Sequence, residues 1–427
     1  MLDNKKRIVI WLLIWGLLDL LCALFCEIHA DEAYYRLYGQ FLAWGYFDHP
    51  PMVGLMTAAS NLLVHGSSMM AKNMSVRLVT VLLHMATVYI IWQTLEVDHG
   101  DRQVWYRFLL IAASLPMFCA YGFITTPDAP LLFFAALFYY SYRKFIAHSQ
   151  WSTAILLGLS MAGMLYSKYI AILVIAFAVM DYRRLLRDGR FWMAVGIAAV
   201  FLVPHLWWLY NNGFPSVTHQ WSDRLVSYKW IYTLEYFPNQ WAVFNPLVWA
   251  LMVWIGRKHW SIIGFQVFFL LMSLRGHVEP HWTVVSSIPA IILLTEDWSK
   301  AENSLFRFKG VRWTLYLFVV VVLIARIVLT LNILPMRTGL ANKQPYYASL
   351  HEEAQGRPII FDGSFQQTSL YRFFYDDQAV RVRNMYDRYN QYDLLHLEKS
   401  LMGKPVCIMR HGQVIMVDCL REEDLDE

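Results

Sequence analysis

The chain carries apolar stretches suited to crossing a bilayer near residues 8–26, 74–95, 105–124, 128–146, 152–166, 169–180, 191–210, 241–256, 260–274, 282–295 and 313–334, eleven in all. A hydrocarbon core of about 30 Å admits only segments that satisfy their own backbone hydrogen bonds, and helices of ~20 apolar residues do so. The pattern predicts an α-helical polytopic membrane protein with about 11 transmembrane helices. Composition agrees: 57% of the 427 residues are hydrophobic and 16% charged, with 18 Trp, 25 Tyr and 26 Phe. A net charge of +4, scattered through short loops, excludes a nucleic-acid partner and suits topology signals instead.

The first stretch, Ile8 to Cys26, follows Lys5, Lys6 and Arg7 as a secretory signal would. It is about 19 residues long and ends in Cys-Glu-Ile-His-Ala rather than a small-x-small site, which marks a retained helix. With the N-terminus in the cytoplasm, the inner segments hold Arg102, Arg107, Arg143, Lys144, Arg183, Arg184, Arg187, Arg190, Arg257, Lys258, Lys300, Arg307, Lys309 and Arg312. The outer loops among the helices hold only Arg36, Lys72, Lys168, Arg224, Lys229 and Arg275, the asymmetry expected of retained cytoplasmic positive charge. Within 152–180, Ser167-Lys168 predicts two short helices meeting at an outer break, since one long helix would invert everything downstream.

Two outer loops, 27–73 and 211–240, are rich in aromatics and prolines and read as folded against the membrane. In the first, Tyr34 to Trp44 reads as a short interfacial helix, and Pro50-Pro51 breaks the backbone before Met52 to Val64, which is too short to span unaided. After Leu334 the pattern changes to charges, turns and segments such as Pro358 to Phe361 and Pro405 to Arg410. The chain therefore divides into a transmembrane domain, 1–334, and a small extracytoplasmic α/β domain, 335–427. If His411-Gly412 is a two-residue hairpin turn, Cys407 faces Met416 and Cys419 faces Lys404, so the five cysteines give no disulfide framework.

Chemistry concentrates on the outer face. Asp31 and Glu32 follow the first helix directly, where an acid can take the proton from an attacking hydroxyl. Asp48-His49 stands on a proline-fixed turn, and a histidine beside a phosphate can hydrogen-bond to it and, when protonated, offset its charge. Asp128 lies in Thr125-Thr126-Pro127-Asp128-Ala129-Pro130, a segment that also reads as ordinary helix capping. Lys168, flanked by apolar helices, calls for an anion, water or a headgroup, and Arg77 near the outer end of the second span reads the same way, although either can snorkel. His281, in Arg275 to Trp282, could join Asp48 in binding a divalent metal by ligand type. Asp19, inside the first span, reads as helix packing.

These residues together resemble the polyprenyl-phosphate-sugar glycosyltransferases of the C-type fold, the group that includes protein O-mannosyltransferases and lipid A aminoarabinose transferases. The matching segments are Asp31-Glu32-Ala33-Tyr34-Tyr35, Gly45 to Pro51, Thr126 to Pro130, Leu165 to Tyr169, Pro204-His205-Leu206-Trp207-Trp208, Phe244-Asn245-Pro246 and His281-Trp282, in order along the membrane region, with Asn390-Gln391-Tyr392-Asp393 similar to bacterial members. The resemblance implies that Asp31 is the catalytic acid-base group and that the Asp48-His49 turn lies beside the donor phosphate, supported by Lys168 and Arg77, with Glu32 and Asp128 completing an acidic site. In the aminoarabinose branch this turn resembles Glu-Lys-Pro-Pro, so His49 stands where a permanent cation would be. The implied partners are a polyprenyl phosphate sugar, undecaprenyl in a bacterial inner membrane, and an acceptor hydroxyl on protein, lipid A or envelope glycan. A lipid flippase or a silent scaffold are the rival classes; a transporter should show helix repeats and a midplane site, and the sequence shows neither.

Overall fold

The computed structural model describes residues 2–218, 228–300, 305–336, 342–375, 377, 379–382, 388–410 and 412–426. The chain opens with helix α1 (Leu2–Phe25), then two helices of the first long loop, α2 (Ala30–Gln40) and α3 (Met52–Leu63), and the long α4 (Met69–Thr94). Next come α5 (Arg102–Ala113), the short α6 (Pro116–Ala120), α7 (Asp128–Ala147), α8 (Trp151–Ser167), α9 (Ala171–Asp181) and α10 (Gly189–Asn211). They are followed by α11 (Pro215–Thr218), α12 (Trp230–Phe244), α13 (Pro246–Gly256), α14 (Trp260–Met272), α15 (Ser287–Lys300) and α16 (Lys309–Thr330).

Among the described residues, four helices are long and apolar enough to cross a membrane by length and composition: Lys6–Phe25, Met69–Thr94, Gly189–Asn211 and Lys309–Thr330. Several expected spans are divided. The one expected at 105–124 is broken between Ala113 and Pro116, because a proline disfavours helical backbone in the residue before it. That expected at 241–256 begins earlier, at Trp230 inside the expected loop, and breaks at Asn245, which takes a positive φ of 60°. Asn245 caps α13 by accepting from Val248 N at 2.8 Å and donates from Nδ2 to Ser114 O at 2.7 Å, so the break is pinned to the one after α5. The break expected at Ser167-Lys168 is present, with Lys168 extended between α8 and α9.

Helices α1, α10 and α16 turn Leu13, Leu17, Val200, Trp207, Leu317 and Ile327 outward, whereas α4 lies largely inside the bundle. Inside it, Asp19 accepts from His84 Nδ1 and from Arg326 Nη2, each at 2.7 Å, joining α1, α4 and α16. This agrees with the packing reading of Asp19.

Beyond α16 lie α17 (Gln344–Glu353), β1 (Ile359–Asp362), α18 (Phe365–Phe374), β2 (Val380–Val382), α19 (Gln391–Leu395), β3 (Val406–Arg410), β4 (Gln413–Val417) and α20 (Glu423–Asp426). The strands form one sheet in the order β2-β1-β3-β4, parallel except for the β3–β4 hairpin. Arg410 pairs with Gln413 and Cys407 with Met416, the register a two-residue turn imposes; His411 itself lies outside the described residues. Buried Tyr347, Leu350, Phe361, Leu370 and Phe374 pack in one cluster with Ile28, Ala33 and Val76, so this sheet and its helices sit on the first loop and the start of α4. The Glu27 carboxylate accepts from the backbone N–H groups of Lys343 and Gln344 at 2.9–3.0 Å, fixing the start of α17 to the end of α1.

Candidate active site

Helix α2 starts from His29, whose Nδ1 accepts from Asp31 N at 3.3 Å, while Glu32 reaches back to accept from His29 N at 3.0 Å. This reciprocal cap sends the two adjacent acids in opposite directions. Glu32 is fully buried and accepts from Arg77 Nε (2.8 Å) and Nη2 (2.6 Å) and from Thr125 N (2.8 Å) as well. Burial alone would raise its pKa, but Arg77 and the backbone donors outweigh that and hold it below the usual carboxylate range. Asp31 instead has a side chain 42% exposed, with His29 Nδ1 at 3.7 Å from its carboxylate.

Arg77 requires a correction. Its guanidinium, 1% exposed, gives Nε and Nη2 to Glu32, Nη1 to Ala23 O and Cys26 O, and Nη2 also to Glu27 O. A guanidinium has five N–H groups and all five are engaged, so none is left for a donor phosphate. Arg77 and Glu32 form a clasp that ties α1, α2 and α4 together.

Asp48 is likewise claimed. It accepts from Tyr34 Oη (2.9 Å), Tyr38 Oη (3.3 Å) and Arg388 Nη1 (2.7 Å). Burial would push its pKa up; the charge and hydrogen bond of Arg388, with the Tyr34 hydroxyl, bring it below the ordinary value. His49 beside it shares a hydrogen bond with Tyr35 Oη at 3.2 Å. Its pKa is pulled down to about 3, first by burial and then by Lys168, against the opposing pull of Asp48. His49 is therefore neutral at pH 7 and serves as a hydrogen-bonding group, not as the cation considered for this turn.

Asp128, at the start of α7, accepts both its hydrogen bonds to Lys168 Nζ at 2.9 Å, and both groups are buried. His281 Nε2 stands 3.9 Å from the same carboxylate. The expected pairing of His281 with Asp48 around a metal does not suit these groups, because Asp128, beside His281, and Asp48 are each already held by a cation. Among the described residues no group of three His, Cys, Asp or Glu side chains could hold an ion.

These groups nevertheless share one site. Lys168, Asp128, Asp48 and His281 all act electrostatically on His49, and Asp31, Asp48, Asp128 and Arg388 all act on Tyr35, whose hydroxyl burial keeps well above its ordinary pKa. Helix α10 closes one side. His205 Nδ1 donates to Trp44 O at 2.7 Å, and Tyr169 Oη joins His205 Nε2 (3.0 Å) and Ser216 Oγ (2.7 Å). A Cβ at Gly45 would fall 2.4 Å from the Trp208 ring and 2.9 Å from His205 Nδ1, so this turn reaches α10 only because residue 45 is glycine.

Residues 48–208, the stretch that carries Asp48, His49, Arg77, Asp128 and Lys168, match the family described as dolichyl-phosphate-mannose-protein mannosyltransferase. The crystal structure of ArnT from Cupriavidus metallidurans in the apo state superposes over 95% of this chain and 93% of that one, with a TM-score of 0.60 and 15% identity. The chain therefore has the fold of ArnT. ArnT bound to undecaprenyl phosphate superposes equally well, with a TM-score of 0.61 at 14% identity, over 95% of this chain and 92% of that one. Lipid A galacturonosyltransferase RgtD from Rhizobium johnstonii is 24% identical over 319 residues, 68% of this chain; the match spans 65% of the relative, just under two thirds of its length.

The sequence segments singled out come together in pairs: Thr126 to Pro130 meets Leu165 to Tyr169 through Asp128 and Lys168, and Gly45 to Pro51 meets Pro204 to Trp208 of α10 at Gly45. What sequence reasoning missed is Arg388, which lies 340 positions from Asp48 along the chain. The nearby Asn390-Gln391-Tyr392-Asp393 was the available signal. Gln391 Oε1 accepts from Phe47 N at 2.9 Å and its N–H meets Tyr34 Oη at 2.8 Å, so this segment braces the Asp48-His49 turn.

Proposed function

We propose that the chain is an inverting glycosyltransferase that moves a sugar from a polyprenyl phosphate, undecaprenyl phosphate in a bacterial inner membrane, to an acceptor hydroxyl on the extracytoplasmic face. The observation that carries this reading is the unequal treatment of four clustered acids. Glu32, Asp48 and Asp128 are each buried against a cation, while the Asp31 carboxylate remains exposed at the same site. A general base must meet its substrate, and Asp31 is the one carboxylate of the four placed to do so.

In the proposed step Asp31 takes the proton of the acceptor hydroxyl. The oxygen attacks the anomeric carbon, its C–O bond forms, and the bond from that carbon to the phosphate oxygen breaks, leaving the lipid phosphate with the electron pair. A single displacement inverts the anomeric centre. Lys168 has one N–H beyond the two given to Asp128, and the His49–Tyr35 pair, which uses one of its two protons in its own hydrogen bond, keeps one neutral donor, so Lys168 and that pair can stabilise the growing charge on the phosphate. The name of RgtD makes lipid A the first acceptor to assay, with protein and envelope glycan as further candidates.

The test is Asp31→Asn in the full chain, assayed in membranes with labelled sugar on undecaprenyl phosphate. Loss of a general base is expected to cost ~10²–10⁴-fold in rate. Undiminished transfer by a variant that melts like the wild type refutes the assignment, and no transfer by the wild type with any of the three acceptor classes refutes the transferase reading itself.

A further inference from the structure

We propose that Arg388, supplied by the C-terminal domain, is the phosphate-recognising cation of the site and that Asp48 holds it in place. The inference rests on the site described above and deepens the transferase reading.

Charge counting motivates it. Asp31, Asp48 and Asp128 contribute three negative charges, and Lys168, bound by both oxygens of Asp128, offsets one of them. Arg77 is consumed by Glu32 and backbone carbonyls, and His49 is neutral. Without another cation, a phosphate entering beside the Asp48-His49 turn would meet a net negative wall. Arg388 is the permanent cation that contacts this turn.

Its geometry suits an anion. Nη1 donates to Asp48 Oδ1 at 2.7 Å and lies 3.5 Å from Tyr389 O, and the guanidinium stands 4.8 Å over the Phe365 ring. These contacts orient the group but leave Nε and Nη2 without a hydrogen-bond partner among the described residues, on a side chain that is 40% exposed. An oriented guanidinium with two adjacent open donors is matched to two oxygens of one phosphate. Asp48, buried and held by two tyrosine hydroxyls, is the fixed anchor. Gln391 binds the same turn from the same segment, which ties the turn to the segment carrying Arg388.

The ligand chemistry is a phosphate oxyanion, which the lipid carrier offers and a phosphorylated acceptor offers too. The experiment uses the full chain in nanodiscs and measures binding of four probes: undecaprenyl phosphate and undecaprenol, and lipid A and its dephosphorylated form. In the wild type a phosphorylated probe binds more tightly than its phosphate-free counterpart. Arg388→Gln is expected to cut that preference roughly 10-fold or more, the loss of a charge-assisted pair of hydrogen bonds, while leaving the phosphate-free probes unchanged. Arg388→Lys keeps part of the preference. Loss in the undecaprenyl pair assigns the donor phosphate, and loss in the lipid A pair assigns the acceptor. A purely bracing role lowers binding of all four probes alike, and that result overturns the proposal. So does a preference untouched in both pairs, or no preference in the wild type. Phosphate binding that depends on Arg388 in a protein that transfers no sugar would sink the transferase reading and leave this one standing.

Discussion

Replacing Glu32 with Gln separates two neighbouring acids that sequence alone cannot. The substitution keeps volume, removes the charge, and turns an amide NH₂ toward N–H groups of Arg77 that now donate at 2.6 and 2.8 Å. Leaving one member of a buried ion pair without its partner costs about 3–5 kcal/mol. Unfolding entropy of ~2.1 cal/mol/K per residue, summed over 427 residues, is roughly 0.9 kcal/mol/K, so the melting temperature should fall by about 3–6 °C. The assay is thermal unfolding of the purified full chain in one fixed detergent, run beside Asp31→Asn. Because Asp31 is exposed and makes no buried pair, Asp31→Asn is expected to melt with the wild type while transferring sugar ~10²–10⁴-fold more slowly. Glu32→Gln should show the reverse emphasis, a lowered melting temperature with residual transfer in the fraction that stays folded. A Glu32→Gln protein that melts normally but has lost all transfer would refute the clasp and return Glu32 to the chemistry.

The Asp128–Lys168 pair allows a compensation test: Lys168→Met alone strands a buried carboxylate and should cost ~3–5 kcal/mol, adding Asp128→Asn should restore most of that stability, and transfer should stay low in both. A double variant that transfers like the wild type would make Lys168 structural. His49 gives a pH signature. Its folded pKa of about 3 lies below the ordinary 6.5, so as pH falls through about 6.5 the unfolded chain takes the proton first and stability is lost progressively down to about 3. The melting temperature of His49→Gln relative to the wild type should therefore rise as pH is lowered from about 7.5 to 5, and a constant difference would mean that His49 titrates normally in the folded protein.

The membrane character and the breaks were legible because both follow from local rules. Hydropathy marks α1, α4, α10 and α16, and a charged Ser167-Lys168 cannot sit mid-span without a partner. The division at Asn245 was hidden, since it depends on Ser114, far away in sequence, accepting its side chain. At the site, residue types were readable but their allegiances were not. Arg77 and Lys168 looked alike as buried cations near the outer boundary; one spends every donor on a clasp and the other keeps an N–H. That difference rests on backbone carbonyls at Ala23, Cys26 and Glu27, which no motif records. Arg388 was not singled out for the same reason, because a pairing across 340 residues leaves no local pattern beyond the neighbouring Asn390 to Asp393.

The pairing of Asp19 with His84 and Arg326 sets a timetable for assembly. Asp19 is translated 65 residues before His84 and 307 before Arg326. At ~5–20 residues/s, the first partner arrives after roughly 3–13 s and the second after about 15–60 s. A carboxylate at that depth costs about 2.5–3.5 kcal/mol on insertion scales, so α1 enters the membrane carrying a debt that only the last span settles. Until α16 docks, α1 and α4 form a provisional pair, and the final position of α1 waits on a helix whose Arg326 is made 307 residues later.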